Sequence, residues 1–223
     1  MKKILALILC LFLASCYTFN RSGFVNQKIE DMYFSSVSVT NNVGKSSGSG
    51  TIIWNKGGDY MMVITSAHVI KSMQKRKKAI HITFTYSSAI KPMKVVKLDE
   101  KKDLALLMGY AKEVSDGPYV RVATKSPNIG DTVWAIGTPM SVKSTVTKGN
   151  LSNFVWEEKP KRLTYRFTAD VFFGNSGGGV FNERGELVGV VDSISYLRMS
   201  VFSSMLIPGG NYAVGLEEIR KFL

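Results

Sequence analysis

Short runs of β-branched and aromatic residues, separated by turn residues, make up most of the sequence from Met32 onward. Runs of this length between clusters of Gly, Pro, Asn, Asp and Ser are typical of β-strands. The predicted strands are Val37–Thr40, Thr51–Trp54, Tyr60–Thr65, Ile80–Thr85, Met93–Leu98, Leu104–Tyr110, Tyr119–Val122, Thr132–Ile136, Val146–Phe154, Leu163–Thr168, Gly179–Phe181, Leu187–Ile194 and Asn211–Val214. About a dozen strands at this spacing indicate an all-β fold of the barrel type.

A turn-rich stretch near the middle suggests how the strands are divided. Ser115–Pro118 is the candidate boundary between an N-terminal barrel over residues 34–115 and a C-terminal barrel over residues 119–214. Beyond the last strand, Leu216, Ile219 and Phe222 recur at helical spacing, with glutamates before and basic residues after them. That order suits the helix dipole, so a short helix is predicted over residues 215–223.

The first residues have the pattern of an export signal. Lys2 and Lys3 precede the apolar run Ile4–Ala14, which as a helix would reach roughly half of a bilayer core. The run ends in Leu13-Ala14-Ser15-Cys16, which resembles a bacterial lipoprotein signal. We therefore expect a signal peptide at 1–15, a lipid anchor on Cys16 and a tether over 16–33. An ordinary signal peptide with a chance cysteine is the alternative.

Composition narrows the possible chemistry. The chain has 223 residues, 45% of them hydrophobic, which excludes a disordered or fibrous protein. Two cysteines and two histidines are too few for a disulfide scaffold and make a zinc site improbable. We expect neither a metal nor another cofactor.

Basic residues outnumber acidic ones, 29 to 17, for a formal charge of +12. They include the run Lys75-Arg76-Lys77-Lys78, which has no nucleic-acid-binding motif beside it. An exported protein rarely meets nucleic acid, so that partner is not expected. A solvated loop is the favoured interpretation, and attraction to anionic lipid or cell-wall polymer stays open.

One serine lies in a setting suited to nucleophilic chemistry. Ser176 has glycines on both sides in Gly174-Asn175-Ser176-Gly177-Gly178, between two predicted strands. Glycine lets the backbone approach a substrate closely and adopt unusual dihedral angles. A serine hydroxyl also needs a neutral imidazole as base, a carboxylate to orient that imidazole and backbone N–H donors for the developing oxyanion.

The order of the candidate residues discriminates between hydrolase types. Both histidines precede Ser176, whereas an α/β-hydrolase needs its histidine after the serine. Asp31 or Asp59 would satisfy an Asp-His-Ser order formally, but the alternating strand–helix pattern of that class is absent. His68, Asp103 and Ser176 remain, in the order of the chymotrypsin-like enzymes. His81 and Asp99 are the alternative base and carboxylate.

Seven short motifs in family order resemble the trypsin-like serine proteases, most closely the HtrA/Deg branch. They are Gly48-Ser49-Gly50-Thr51, Thr65-Ser66-Ala67-His68-Val69, Lys102-Asp103-Leu104-Ala105-Leu106, Gly130 to Pro139, Val146-Thr147-Lys148-Gly149, Gly174 to Gly178 and Gly185-Glu186-Leu187-Val188-Gly189. The resemblance implies two six-stranded antiparallel β-barrels. It also implies catalytic roles for His68, Asp103 and Ser176, with an oxyanion hole from Gly174, Asn175 and Ser176.

The resemblance also gives positions for a substrate pocket. Its walls would come from the residues before Ser176 and from the strand after the last motif. The candidates are Asp170, Phe172, Phe173, Val191, Asp192 and Ser193. A carboxylate from Asp170 would favour Lys or Arg in the substrate, although a polar loop contact is the preferred role for it. Phe172 and Phe173 would narrow the pocket toward small or aliphatic side chains.

The leading hypothesis is a serine endopeptidase that cleaves exported or envelope proteins and is anchored in the bacterial envelope through Cys16. No PDZ domain is expected in this sequence. The alternative is a catalytically silent, lipid-anchored chaperone or binding module on the same fold. The oligomeric state and the cleavage preference stay open.

Overall fold

In the part of the chain that the structure describes, twelve strands form two closed, antiparallel six-stranded barrels, as predicted. In the first barrel the strands are arranged in the order β1-β2-β3-β6-β5-β4. Their bounds are β1 Ser36–Asn41, β2 Ser46–Trp54, β3 Tyr60–Thr65, β4 Ile80–Phe84, β5 Ile90–Asp99 and β6 Leu104–Tyr110. Strand β4 shows why the pattern works, because Ile80, Ile82 and Phe84 are buried at every second position.

The second barrel follows the order β10-β11-β12-β9-β8-β7. Its strands are β7 Thr132–Gly137, β8 Thr145–Glu158, β9 Lys161–Phe167, β10 Gly179–Phe181, β11 Leu187–Arg198 and β12 Ser204–Gly215. The structure is a computed structural model that describes residues 27–41, 46–54, 59–74, 79–86, 89–110, 118–139, 144–198 and 204–223. Cys16, the signal peptide and the basic run at 75–78 lie outside the described residues.

Three described helices flank the barrels: α1 Gln27–Ser35, α2 Ala67–Gln74 and α3 Leu216–Phe222. Helix α3 confirms the predicted C-terminal helix. Helix α1 covers the last part of the expected tether, since residues 27–33 are helical and Met32 is buried. Among the described residues, no helix combines the length and apolar character needed to span a bilayer.

The segment predicted as a strand at Tyr119–Val122 instead connects the two barrels. It forms one isolated bridge, between Val122 and Leu187. Its backbone also bonds to both barrels, since Val120 N–H donates to the Ile52 carbonyl at 3.1 Å and Leu187 N–H donates to the Arg121 carbonyl at 2.8 Å. The segment is extended and hydrogen-bonded without becoming part of either sheet.

Each barrel has its own apolar core, and a third core joins them. Val37, Ile52 and Val63 belong to the first core, and Val133, Phe167 and Val188 to the second. The third core takes residues from both barrels and from helices α1 and α3: Met32, Ile64, Leu104, Leu106, Val120, Ile136, Phe181, Leu187, Val190, Val214, Ile219 and Phe222. This shared core fixes the two barrels side by side.

Candidate active site

Strand pairing in the first barrel brings His68 and Asp103 together. Strands β3 and β6 are antiparallel, with Thr65 opposite Ala105, so the residues just after β3 meet those just before β6. His68 donates twice to the carboxylate of Asp103. Its backbone N–H bonds Oδ1 at 2.8 Å and its ring Nδ1–H bonds Oδ2 at 2.7 Å. The carboxylate therefore fixes both the start of α2 and the orientation of the imidazole.

Asp103 has an unusual backbone conformation, with φ at +56°. A left-handed conformation costs a residue with a Cβ roughly 1–2 kcal/mol. The turn before it is stabilised by Asp99, whose Oδ1 accepts from the N–H groups of Lys101 and Lys102 at 3.0 Å each. Asp99, the alternative candidate for orienting the imidazole, therefore has a structural role in this turn.

The pKa values of His68 and Asp103 are shifted in opposite directions, as expected for a general base and the carboxylate that orients it. The hydrogen bond to Asp103 raises the pKa of His68, an effect that burial opposes and the charge of Asp103 reinforces. Burial pushes the pKa of Asp103 upward, but the hydrogen bond and charge of His68 outweigh it and the pKa is lowered. Asp103 is thus ionised when His68 binds a proton. His68 keeps its side chain 49% exposed, while that of Asp103 is 14% exposed.

The Gly-rich motif forms a tight turn in front of Ser176. Asn175 N–H donates to the Phe172 carbonyl at 3.0 Å, which closes a four-residue turn. Gly174, its third residue, has φ at +99°. A positive φ at this position defines a type II turn, which favours glycine. The backbone N–H groups of Gly174 and Ser176 stay the predicted oxyanion donors, whereas that of Asn175 is used to close the turn.

Ser49 on β2 fixes this turn against the first barrel. Its hydroxyl donates to the Gly174 carbonyl at 2.7 Å, and its backbone N–H donates to the Ser176 carbonyl at 2.8 Å. The same hydroxyl accepts the N–H of Thr138 at 2.8 Å. A Cβ at Gly177 would collide with Thr65 and with the Ser49 carbonyl, so the close approach requires glycine there.

Strand β11 contacts both the Ser176 turn and the segment just before His68. The Val191 carbonyl accepts from the Ser66 hydroxyl at 3.0 Å and from Gly177 N–H at 2.8 Å. Ser176 Oγ donates to the Asp192 carbonyl, at a long 3.4 Å. Among the described residues, no hydrogen bond joins Ser176 Oγ to His68. Catalytic hydrogen bonds are often loose before substrate binds.

A cavity of about 200 Å³ opens beside Ser176. Its lining also includes Ile194. Five of the six predicted pocket residues line it: Phe172, Phe173, Val191, Asp192 and Ser193. Asp170 does not line the cavity. It is exposed, and its backbone carbonyl accepts the hydroxyl of Thr147 at 2.6 Å. The cavity lining includes the apolar residues Phe172, Phe173, Val191 and Ile194, and Phe173 is 71% exposed.

A buried ion pair lies behind His68 and Asp103. Arg162 on β9 donates to Asp192 Oδ2 at 2.6 Å and to Glu157 Oε2 at 2.9 Å. Burial raises the pKa of Asp192 to about 6, although the charge of Arg162 opposes that rise. One side-chain atom from each of His68, Asp103 and Asp192 lies within 4.8 Å of the others. We assign this cluster to hydrogen bonding, because a cation there would face the Arg162 guanidinium.

A profile of the trypsin-like peptidase domain matches residues 48–190. The chain belongs to this family. The match spans His68, Asp103 and Ser176 together with most of both barrels. It confirms the family predicted from the motifs, and the two closed barrels confirm the predicted fold.

The descriptions of this chain's relatives agree with the HtrA/Deg resemblance. A Staphylococcus aureus protein described as "Serine protease HtrA-like" is 29% identical over 191 residues, which cover 79% of this chain and 23% of that protein. The chain thus spans about a quarter of the length of such curated relatives.

Two solved structures share the fold. The serine endoprotease from Yersinia pestis is 27% identical with a TM-score of 0.67, covering 88% of this chain and 64% of that one. Deg5, at 22% identity and a TM-score of 0.68, covers 87% of this chain and 90% of its own, and supports the fold alone.

Two contributors to this trypsin-like site were missed by sequence reasoning. Arg162 follows the exposed Lys161 on β9, and its partner Asp192 is 30 residues away. Ser49 was noted only as part of a Gly-rich motif, and its contact with Gly174 spans 125 residues. A basic residue at a buried strand position is the one sequence signal that could have marked Arg162, since buried charges need partners.

Proposed function

We propose that this chain is a serine endopeptidase that uses Ser176 as nucleophile, His68 as general base and Asp103 as the group that orients His68. Two observations carry the proposal. His68 and Asp103 are joined by two hydrogen bonds, and the Val191 carbonyl of β11 accepts from both Ser66, next to that pair, and Gly177, next to Ser176. The descriptions of the relatives and of the Yersinia pestis structure as serine proteases support it. None of these descriptions favours the alternative of a non-catalytic binding module.

The proposed reaction begins with a proton transfer. Ser176 Oγ attacks the scissile carbonyl carbon as its proton passes to Nε2 of His68, while Nδ1–H stays bonded to Asp103. The tetrahedral oxyanion accepts hydrogen bonds from the backbone N–H groups of Gly174 and Ser176. Each such donor lowers the activation free energy by about 3–4 kcal/mol. Collapse of this intermediate breaks the C–N bond, and the leaving amine takes the proton from His68. Water then repeats the sequence and releases the acyl group.

The free hydroxyl must turn before it reacts. In the structure Ser176 Oγ is bonded weakly to the Asp192 carbonyl. Rotation about its Cα–Cβ bond would exchange that 3.4 Å contact for one to His68. The exchange frees the Asp192 carbonyl to accept a backbone N–H of the substrate.

The cavity next to Ser176 favours an apolar substrate side chain of small or aliphatic type. Phe172, Phe173 and Val191 supply its apolar walls, and its volume is only about 200 Å³. The Asp170 carboxylate is not part of the lining, and the Asp192 carboxylate, which is, already pairs with Arg162. We therefore expect no preference for Lys or Arg at the cleaved bond.

Cleavage of a peptide library tests activity and preference together. We expect cuts after small or aliphatic residues, and we expect Ser176→Ala to lower turnover by about 10⁴-fold or more. Ser152→Ala, on β8 and outside the cavity lining, is the matched control and should keep full turnover. A Ser176→Ala variant as active as the parent would contradict the proposal, and cleavage after Lys or Arg would contradict the pocket assignment.

Export and anchoring through Cys16 are proposed from the sequence pattern. In a bacterial host, the full chain should incorporate radiolabelled palmitate, and Cys16→Ala should not. Labelling that persists in Cys16→Ala would contradict the anchor.

A further inference from the structure

The proposed mechanism gives no role to the ion pair behind His68 and Asp103. The Asp192 side chain is only 11% exposed and that of Arg162 only 9%. Burying a second carboxylate next to Asp103 is unfavourable unless a cation pairs with it. Such a pair beside a reacting imidazole has a direct route to influence its chemistry.

Arg162 is held rigidly and contacts the backbone next to Asp103. Its Nη1–H donates to the Lys102 carbonyl at 3.3 Å, one residue before the left-handed Asp103. Its Nη2–H binds Asp192, and Glu157 accepts from both Nε and Nη2 at 2.9 and 3.3 Å. The planar guanidinium fork thus fixes the Asp103 turn and Asp192 at once.

Asp192 contacts the site from two sides. Its carbonyl accepts the hydroxyl of Ser176. One of its carboxylate oxygens lies within 4.8 Å of a ring nitrogen of His68 and of a carboxylate oxygen of Asp103. One residue therefore faces all three members of the proposed triad.

We propose that Arg162 and Asp192 form a positioning pair that holds Asp103 behind His68 and, through two opposed charges, sets how tightly His68 binds its proton. This inference rests on the proposed function. The negative charge of Asp192 favours the imidazolium, and the positive charge of Arg162 disfavours it. Asp103 is the other charged group facing the imidazole, whereas Glu157 faces Arg162 and the ammonium of Lys102 is paired with Glu218 at 3.1 Å.

Nuclear magnetic resonance titration of the histidines measures this balance directly. The chain has two histidines, so His81→Asn assigns the signal of His68. Three variants are compared with the parent, all in the full chain carrying Ser176→Ala: Asp192→Asn, Arg162→Gln with Asp192→Asn, and Glu157→Gln. Asp192→Asn should lower the pKa of His68, because it removes a facing negative charge and leaves Arg162. The double variant should move that pKa back toward the parent.

Glu157→Gln is the matched control. It removes a carboxylate that binds the same arginine but does not belong to the cluster of His68, Asp103 and Asp192, so the His68 titration should stay where it is. An unmoved titration in Asp192→Asn, an equal shift in Glu157→Gln, or a double variant no closer to the parent would each overturn the inference. Circular dichroism checks folding, and Asp192→Ser replaces Asp192→Asn if the latter does not fold.

The titration needs no catalysis, so its failure can be told apart from failure of the proposed function. A parent chain with Ser176 present that does not react with a fluorophosphonate probe would contradict the proposed function, and the titration would still decide the charge balance. A reactive parent whose His68 titration is unmoved by Asp192→Asn would contradict this inference alone.

Discussion

At the residue scale, the bond between His68 and Asp103 decides the pH at which the site can react. The hydrogen bond to Asp103 raises the pKa of His68 above its ordinary value of 6.5. Below the raised pKa the imidazole is protonated and cannot accept the Ser176 proton. We therefore expect kcat/KM to rise with pH, with a midpoint above 6.5.

Replacing the carboxylate should change both the rate and that midpoint. Asp103→Asn removes the charge and the acceptor that raise the pKa of His68, so the acidic midpoint of kcat/KM should move to lower pH. Turnover should fall by roughly 10³- to 10⁴-fold, because the amide no longer fixes the reactive tautomer. A pH–rate series on parent and variant is the measurement, with Asp131→Asn as a remote control. An unchanged midpoint would show that Asp103 does not act on His68.

At the element scale, Ser49 on β2 bonds the Ser176 turn through both its backbone N–H and its buried hydroxyl. Ser49→Ala would leave the Thr138 N–H and the Gly174 carbonyl without their shared partner. An unsatisfied buried polar group costs about 1–3 kcal/mol. We expect urea unfolding of Ser49→Ala to show a loss of stability in that range, and Ser152→Ala to show little. Equal stability of the two variants would argue against a structural role for Ser49.

Some elements could be predicted from the sequence pattern alone, and others could not. Strand β4 was predictable because buried and partly buried residues alternate along it. Helix α2 was not, because its buried positions Val69, Ile70 and Met73 span barely one turn directly after a strand. The Ser176 turn could be located from its glycines, but its link to Ser49 depends on how two barrels dock. Contacts of that range leave no local pattern.

At the scale of the whole molecule, the two barrels act as one unit because a third core lies between them. Met32 extends this core from helix α1, in a segment the sequence pattern assigned to a tether. Met32→Ala should lower the free energy of unfolding by about 2–5 kcal/mol, since it removes a fully buried side chain. Ile129→Ala, at an exposed position, is the control and should change it little. Urea denaturation gives both values, and equal effects would contradict the packing of α1.

Labelling with a fluorophosphonate probe tests the central claim most directly, because the probe bonds only to a serine made nucleophilic by its surroundings. The full chain is treated at neutral pH, and the adduct is located by mass spectrometry of its peptides. We predict one adduct, on Ser176, that disappears in both Ser176→Ala and His68→Ala. A folded parent chain that stays unlabelled, or a probe bound to another serine, would contradict the account.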